Sequence, residues 1–150
     1  RGIIARKRPH GWAGVYHHWD SYPSGLGRML YELYHGQFHN DVHAMMHYLI
    51  DEHPAGWSTI VDQDFALQPG YADATRSEQE QRRPQCYCHG DRHEKGMVLT
   101  DATTDTDCEF AYVIDEQFAT MSIYRLRGHR WQLYREVDLN GTAPYWLFQE

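Results

Sequence analysis

The sequence predicts an α+β fold: an N-terminal β-hairpin, a two-helix hairpin and an antiparallel β-meander forming one sheet with the helices on one face. Three observations predict it. Two apolar stripes at helical spacing lie between residues 25 and 52. Short β-prone runs separated by turn residues fill the C-terminal third. Strand-like runs also flank a Pro9-His10-Gly11 turn near the N-terminus. A hairpin, two helices and then a run of strands is the α+β order.

Each element has its own justification. Residues 2–5 (Gly-Ile-Ile-Ala) and 13–17 (Ala-Gly-Val-Tyr-His) make the first hairpin. Ser24 then reads as the N-cap of a helix over residues 25–35. Its stripe is Leu26, Met29, Leu30, Leu33 and Tyr34, and Gly36 stands where a terminating glycine belongs. Asn40 or Asp41 starts a second helix, which runs to about Glu52 on a stripe of Val42, Met45, Met46, Leu49 and Ile50. Pro54 and Gly56 stop it. Residues 57–61 read as a short strand, and residues 67–83 as a long exposed loop with one helical turn near 77–82. Strands follow at 97–100, 109–114, 119–126 and 131–137, the first two around an acidic linker at 101–107. Asn140-Gly141 closes a last turn before residues 145–148, the end of this β-like region.

At 150 residues the chain is expected to be a single domain, 1–150, able to bury a real core. It starts at Arg1, so at least one residue is expected to precede it, and the basic N-terminus is not followed by the apolar stretch of a signal peptide. No apolar run approaches the roughly 20 residues that span a bilayer. Three cysteines are too few, and odd in number, for a disulfide framework, which points to the cytoplasm. Fourteen Lys+Arg against 21 Asp+Glu give a net charge of −7. That balance argues against a general nucleic-acid binder. Protonating all eleven histidines would take the charge to +4, so it changes sign near the histidine pKa of about 6.5.

The best metal candidate is the run Cys86-Tyr87-Cys88-His89-Gly90-Asp91-Arg92-His93. Thiolate and imidazole are the donors that zinc favours, and a closed structural site needs four of them arranged tetrahedrally. Cys86, Cys88 and Cys108, with His89 or His93, would make such a site. Two other readings stay open: small buried hydrophobes, or a thiol made reactive by Arg92 and His93. His39, His43 and His47 are spaced to stack along one helix face and read as a solvated edge of the second helix.

The densest polar-aromatic stretch runs from Tyr16 to Gly27, at a strand-to-helix junction. His17, His18, Asp20 and Ser21 are its acid/base candidates. Trp19, Asp20, Tyr22, Ser24 and Gly25 are its binding candidates, since a helix N-terminus also favours anions. Arg1-Gly2-Ile3-Ile4-Ala5, followed by Tyr16-His17-His18-Trp19-Asp20-Ser21-Tyr22-Pro23-Ser24-Gly25-Leu26-Gly27, resembles a family of uncharacterised proteins in bacterial and phage genomes. The hallmark of that family is a Thr-Arg-Gly start and a Tyr-x-x-Trp-Asp-(Ser/Gly)-Tyr-Pro-Ser-Gly-x-Gly motif. The likeness covers about the first 35 residues and brings no activity or cofactor with it.

Two functions are therefore expected. The first is a small, soluble, non-catalytic binding protein that contacts another protein and is stabilised by a structural zinc. Its aromatic richness, with 11 Tyr and 5 Trp, supplies the residues in which binding energy concentrates. The alternative is a small hydrolase or transferase with its pocket at the Tyr16-to-Gly27 junction. A basic hairpin carrying Arg125, Arg127, Arg130 and Arg135 would suit nucleic acid, but reads better as a solvated strand face.

Overall fold

The computed structural model describes residues 1–60, 75, 85–88 and 94–149. The loop expected at 67–83 lies outside the described residues except for Thr75. Strands β1 (Gly2–Lys7) and β2 (Trp12–His17) form the expected hairpin, with Gly2 opposite His17 and Lys7 opposite Trp12. A π-helical turn, Pro23–Gly27, runs directly into helix α1 (Arg28–His35). Helix α2 (Val42–Met46) likewise continues through a π-helical turn, His47–Asp51. Five short or long strands follow: β3 (Trp57–Thr59), β4 (Gln85–Cys86), β5 (Leu99–Thr100), β6 (Phe110–Asp115) and β7 (Thr120–Arg127). Strand β8 (Arg130–Asp138) is the longest among the described residues, and a 3₁₀ turn, Tyr145–Phe148, follows it.

The strands join in one sheet ordered β4-β3-β2-β1-β6-β7-β8, with β5 pairing β2 off this path. The α+β class holds, and β6–β7–β8 is the antiparallel meander expected. The joints on either side of the first hairpin are parallel: β1 with β6 and β2 with β3. Parallel neighbours need a long crossover, and the two helices supply it between β2 and β3. Strand β1 is covered on both faces, which is why its Ile3-Ile4-Ala5 run is continuously apolar.

Alternation along the strands divides the core into two layers. Ile4, Val15, Tyr112, Ile114, Met121, Ile123 and Val137 face the helical stripes of Leu26, Leu30, Leu33, Met45, Met46 and Leu49. Ile3, Ala5, Trp12, Ala111 and Val113 point the other way, with Leu99 and Cys108. There the acidic segment does more than link strands. Trp131 donates its indole N–H to the Thr103 carbonyl at 2.9 Å and meets Trp12 edge-on at 5.5 Å.

Two local expectations are corrected and one is refined. Ser24 is not an N-cap: the helical turn opens at Pro23, whose missing N–H is no loss there, and Tyr22 holds the cap position. Gly36 does end α1 as expected and only its conformation differs: at φ −83° it leaves the left-handed positions that reverse the chain to His39 and Asn40. Residues 145–148 are a 3₁₀ turn, not a strand, because Pro144 has no N–H for a ladder and Leu147 turns inward to complete burial. Asp41 does cap α2, its carboxylate accepting the Ala44 N–H at 3.0 Å.

Candidate binding surface and metal centre

Part of the Tyr16-to-Gly27 stretch is consumed by folding. His17 ends β2 with no exposed surface. Its Nε2 accepts the Ile60 N–H at 3.3 Å, so Nδ1 carries the proton and donates to Ser21 Oγ at 2.9 Å. Ser21 in turn donates to the His17 carbonyl at 3.2 Å. Burial, with smaller help from nearby positive charge, pushes the His17 pKa down to about 3. The Tyr112 phenol donates to the Ser21 carbonyl at 2.6 Å, and burial holds its own pKa well above the ordinary range.

Asp20 adopts the left-handed region at φ 53°, aiming its carbonyl at the Leu26 N–H, 2.9 Å away. Gly25 is required by that clasp, since a Cβ there would lie 2.1 Å from the Asp20 oxygen. Gly25→Ala is expected to cost about 1–3 kcal/mol, because backbone must give way. Urea denaturation checks it, and a loss below half of that range would mean the clasp relaxes freely.

The remainder of the motif faces solvent. Trp19 is 60% exposed and Tyr22 41% exposed. Trp19 stands edge-on to His18, whose Nδ1 is hydrogen-bonded to the Tyr16 hydroxyl. His18, Trp19, Asp20 and Tyr22 line a cleft of about 390 Å³, with Arg1 and Glu109 opposite. Ser21 lines it too, but it is buried with its hydroxyl turned toward His17, and His17 itself does not line the cleft. The four acid/base candidates therefore do not converge as a set.

Tyr22 also borders a larger groove of about 650 Å³. Pro23 and Ser24 continue its wall, while Tyr134 and Arg135 of β8 and Tyr145 and Trp146 close it. A β-bulge sets this up: Ile123 faces Arg135 while Tyr124 faces Leu133, leaving Tyr134 as the extra residue. Tyr134 and Arg135 consequently share the helix-facing side of the sheet. Arg135 lies 4.5 Å from the Trp146 ring centre and 4.9 Å from that of Tyr134, and Arg125 lies 5.0 Å over Tyr134. Among the described residues, neither arginine pairs with a carboxylate.

The cysteine candidates divide. A nitrogen of His53 and the sulfurs of Cys86 and Cys88 all lie within 4.8 Å of one another, close enough to hold a metal ion. A turn positions the imidazole, the Gly56 N–H donating to the His53 carbonyl at 2.9 Å. Gly56 needs its positive φ of 84° there, and a Cβ on it would meet the Tyr16 carbonyl at 2.3 Å. Pairing of Trp57 with Cys86 brings the thiols alongside, and the Ala55 N–H donates to Cys88 Sγ at 3.1 Å. Burial pushes the Cys88 thiol pKa up.

Cys108 does not join this group. It is buried in the opposite core layer, with Sγ 3.6 Å from the Gly2 carbonyl. His89 and His93 lie outside the described residues. His43 and His47 do form an exposed edge, paired with Glu116 and with Asp51 and Glu52, but His39 sits in the turn ahead of α2.

Sequence reasoning missed His53, Tyr134, Tyr145 and Trp146. Spacing gave no link between His53 and cysteines more than thirty residues away, and a bulge leaves no periodic trace. The chain matches no family model, no curated protein and no solved structure.

Proposed function

We propose that the chain is a non-catalytic protein-interaction domain whose β3–β4 edge is locked by a structural zinc. One observation carries the interaction reading: the motif spends His17, Ser21 and Gly25 on the fold while presenting Trp19 and Tyr22 to solvent beside two clefts. Exposed aromatic rings around a groove are the residues that anchor protein partners. The chain, tagged, and its Trp19→Ala/Tyr22→Ala variant serve as baits in lysate of the producing cell. A stoichiometric protein held by the first and lost by the second is expected, with unchanged melting. Equal retention, or no retained protein, would reject the reading.

His53, Cys86 and Cys88 support zinc by donor chemistry, since one imidazole and two thiolates are borderline-soft ligands. The sequence offers His89, directly after Cys88, and His93, further along the same run, for the fourth position. When bound, the ion would tie the end of the helical segment to the sheet edge. Metal analysis is expected to find about one zinc per chain. Cys86→Ser with Cys88→Ser should abolish it and destabilise the fold by several kcal/mol, whereas Cys108→Ser should leave the metal in place. Because the thiols must lose protons to bind, zinc should be released as pH falls. Unchanged zinc content in the double variant would sink the site.

A further inference from the structure

We propose that the groove between Tyr22 and Arg135 takes an extended, acidic segment of a protein partner, laid along the outer edge of β8 with a carboxylate on Arg135. This inference rests on the interaction reading and supplies the chemistry of the partner.

Three features point to that occupant. The first is the edge itself. Among the described residues, strand β8 terminates the sheet and is the longest strand, at nine residues. Its row of backbone donors and acceptors is a template for an added strand. The second is charge. Among the described residues, Arg135 is the one charged side chain lining the groove, and its guanidinium is held between Trp146 and Tyr134 without a carboxylate. Arg125 reinforces it from the other side of Tyr134. A guanidinium fixed on aromatic faces is preorganised for a planar carboxylate.

The third feature is the limit on that charge. Glu136 faces Ser122 on the opposite side of the sheet, and Asp20 and Glu109 occupy the neighbouring cleft beside Arg1. The chain as a whole carries −7. A single acidic side chain finds its counter-charge at Arg135, whereas a long polyphosphate continuing into the neighbouring cleft would meet the carboxylates of Asp20 and Glu109. An acidic peptide therefore fits better than a nucleic acid. The exposed rings of Tyr22, Tyr134 and Tyr145 supply apolar contact for side chains flanking the carboxylate.

The test uses a capped threonine peptide as long as β8 with one central glutamate, and its counterpart with glutamine in that place. Both are titrated into ¹⁵N-labelled full chain. The acidic peptide is expected to shift the amides of β8 and the Trp146 indole and to bind about tenfold tighter than the glutamine peptide. Arg135→Gln should erase that preference, so that the variant binds the two peptides equally, and Arg135→Lys should restore part of it. Equal binding of the two peptides, or a preference that survives in Arg135→Gln, overturns the proposal. Tighter binding of oligo(dT) at the same salt would assign the groove to nucleic acid, and concentration-dependent dimerisation through β8 would assign it to a second copy. Either result also overturns it. The failures are separable. If a captured partner depends on Trp19 and Tyr22 but not on Arg135, the occupant is wrong and the interaction reading stands.

Discussion

Trp57→Ala is expected to cost about 4 kcal/mol and to loosen the metal centre at the same time. The indole has no exposed surface, and truncating a buried Trp typically costs about 3–5 kcal/mol in lost transfer energy and residual cavity. It also donates from Nε1 to the Leu49 carbonyl at 2.9 Å, so its removal strands a buried acceptor in the turn that follows α2. The coupling to the metal group is geometric. Trp57 pairs with Cys86 across β3–β4, and its ring lies 4.3 Å from that of His53. Trp57→Phe keeps most of the packing and loses only the hydrogen bond, so it should cost about 1–3 kcal/mol and retain metal. Urea denaturation of the three proteins, with zinc content measured on each, checks both statements. A loss of about 1 kcal/mol in the alanine variant would mean that the ring is not packed between helix and sheet.

The legible part of the fold is the part written in periodicity. Both helical stripes are buried as spaced, and the hairpins of the meander follow turn residues that the sequence displays. The parallel joint between β1 and β6 was not legible. Gly2-Ile3-Ile4-Ala5 and Ala111-Tyr112-Val113-Ile114 are both runs that a central strand would carry, and apolar character marks burial without naming a neighbour. The second core layer was hidden for a related reason. The segment 101–107 is acidic and looks solvated, yet one carbonyl of it holds Trp131, and backbone groups leave no mark in composition.

The site was legible where residue type alone carries information. Cys86 and Cys88 announce a soft-donor pair by adjacency, and two of the ligands expected for metal do converge. Their third partner, His53, is brought in by a turn that depends on the positive φ of Gly56 and on strand pairing, both tertiary outcomes. Cys108 misled because sequence distance to an extended chain says nothing about which sheet face a side chain takes. The groove at β8 depends on one extra residue in a ladder. Without that bulge Tyr134 and Arg135 would point to opposite faces.

Acid should destabilise this protein through His17. In the unfolded chain His17 takes up a proton near its ordinary value of 6.5, and in the folded chain only near about 3. Between those values the unfolded state holds the extra proton, so lowering the pH favours unfolding. Stability is thus fully present above about pH 6.5 and declines as pH falls toward 3. From pH 7 to pH 4 the loss assigned to this one group is about 3 kcal/mol. The physical cause is that a charged imidazole would have to donate from both nitrogens, and Nε2 already faces the Ile60 N–H in a site without solvent. His17→Gln removes the titration. It should cost about 1–2 kcal/mol at pH 7, for imperfect replacement of two hydrogen bonds, and should flatten the decline between pH 6.5 and pH 4. Denaturation curves of the two proteins at pH 7, 5.5 and 4 decide the matter. If both lose the same stability over that range, His17 is not the acid-sensitive group. A ¹⁵N spectrum at pH 5.5 gives an independent reading, since His17 should still be neutral and protonated on Nδ1.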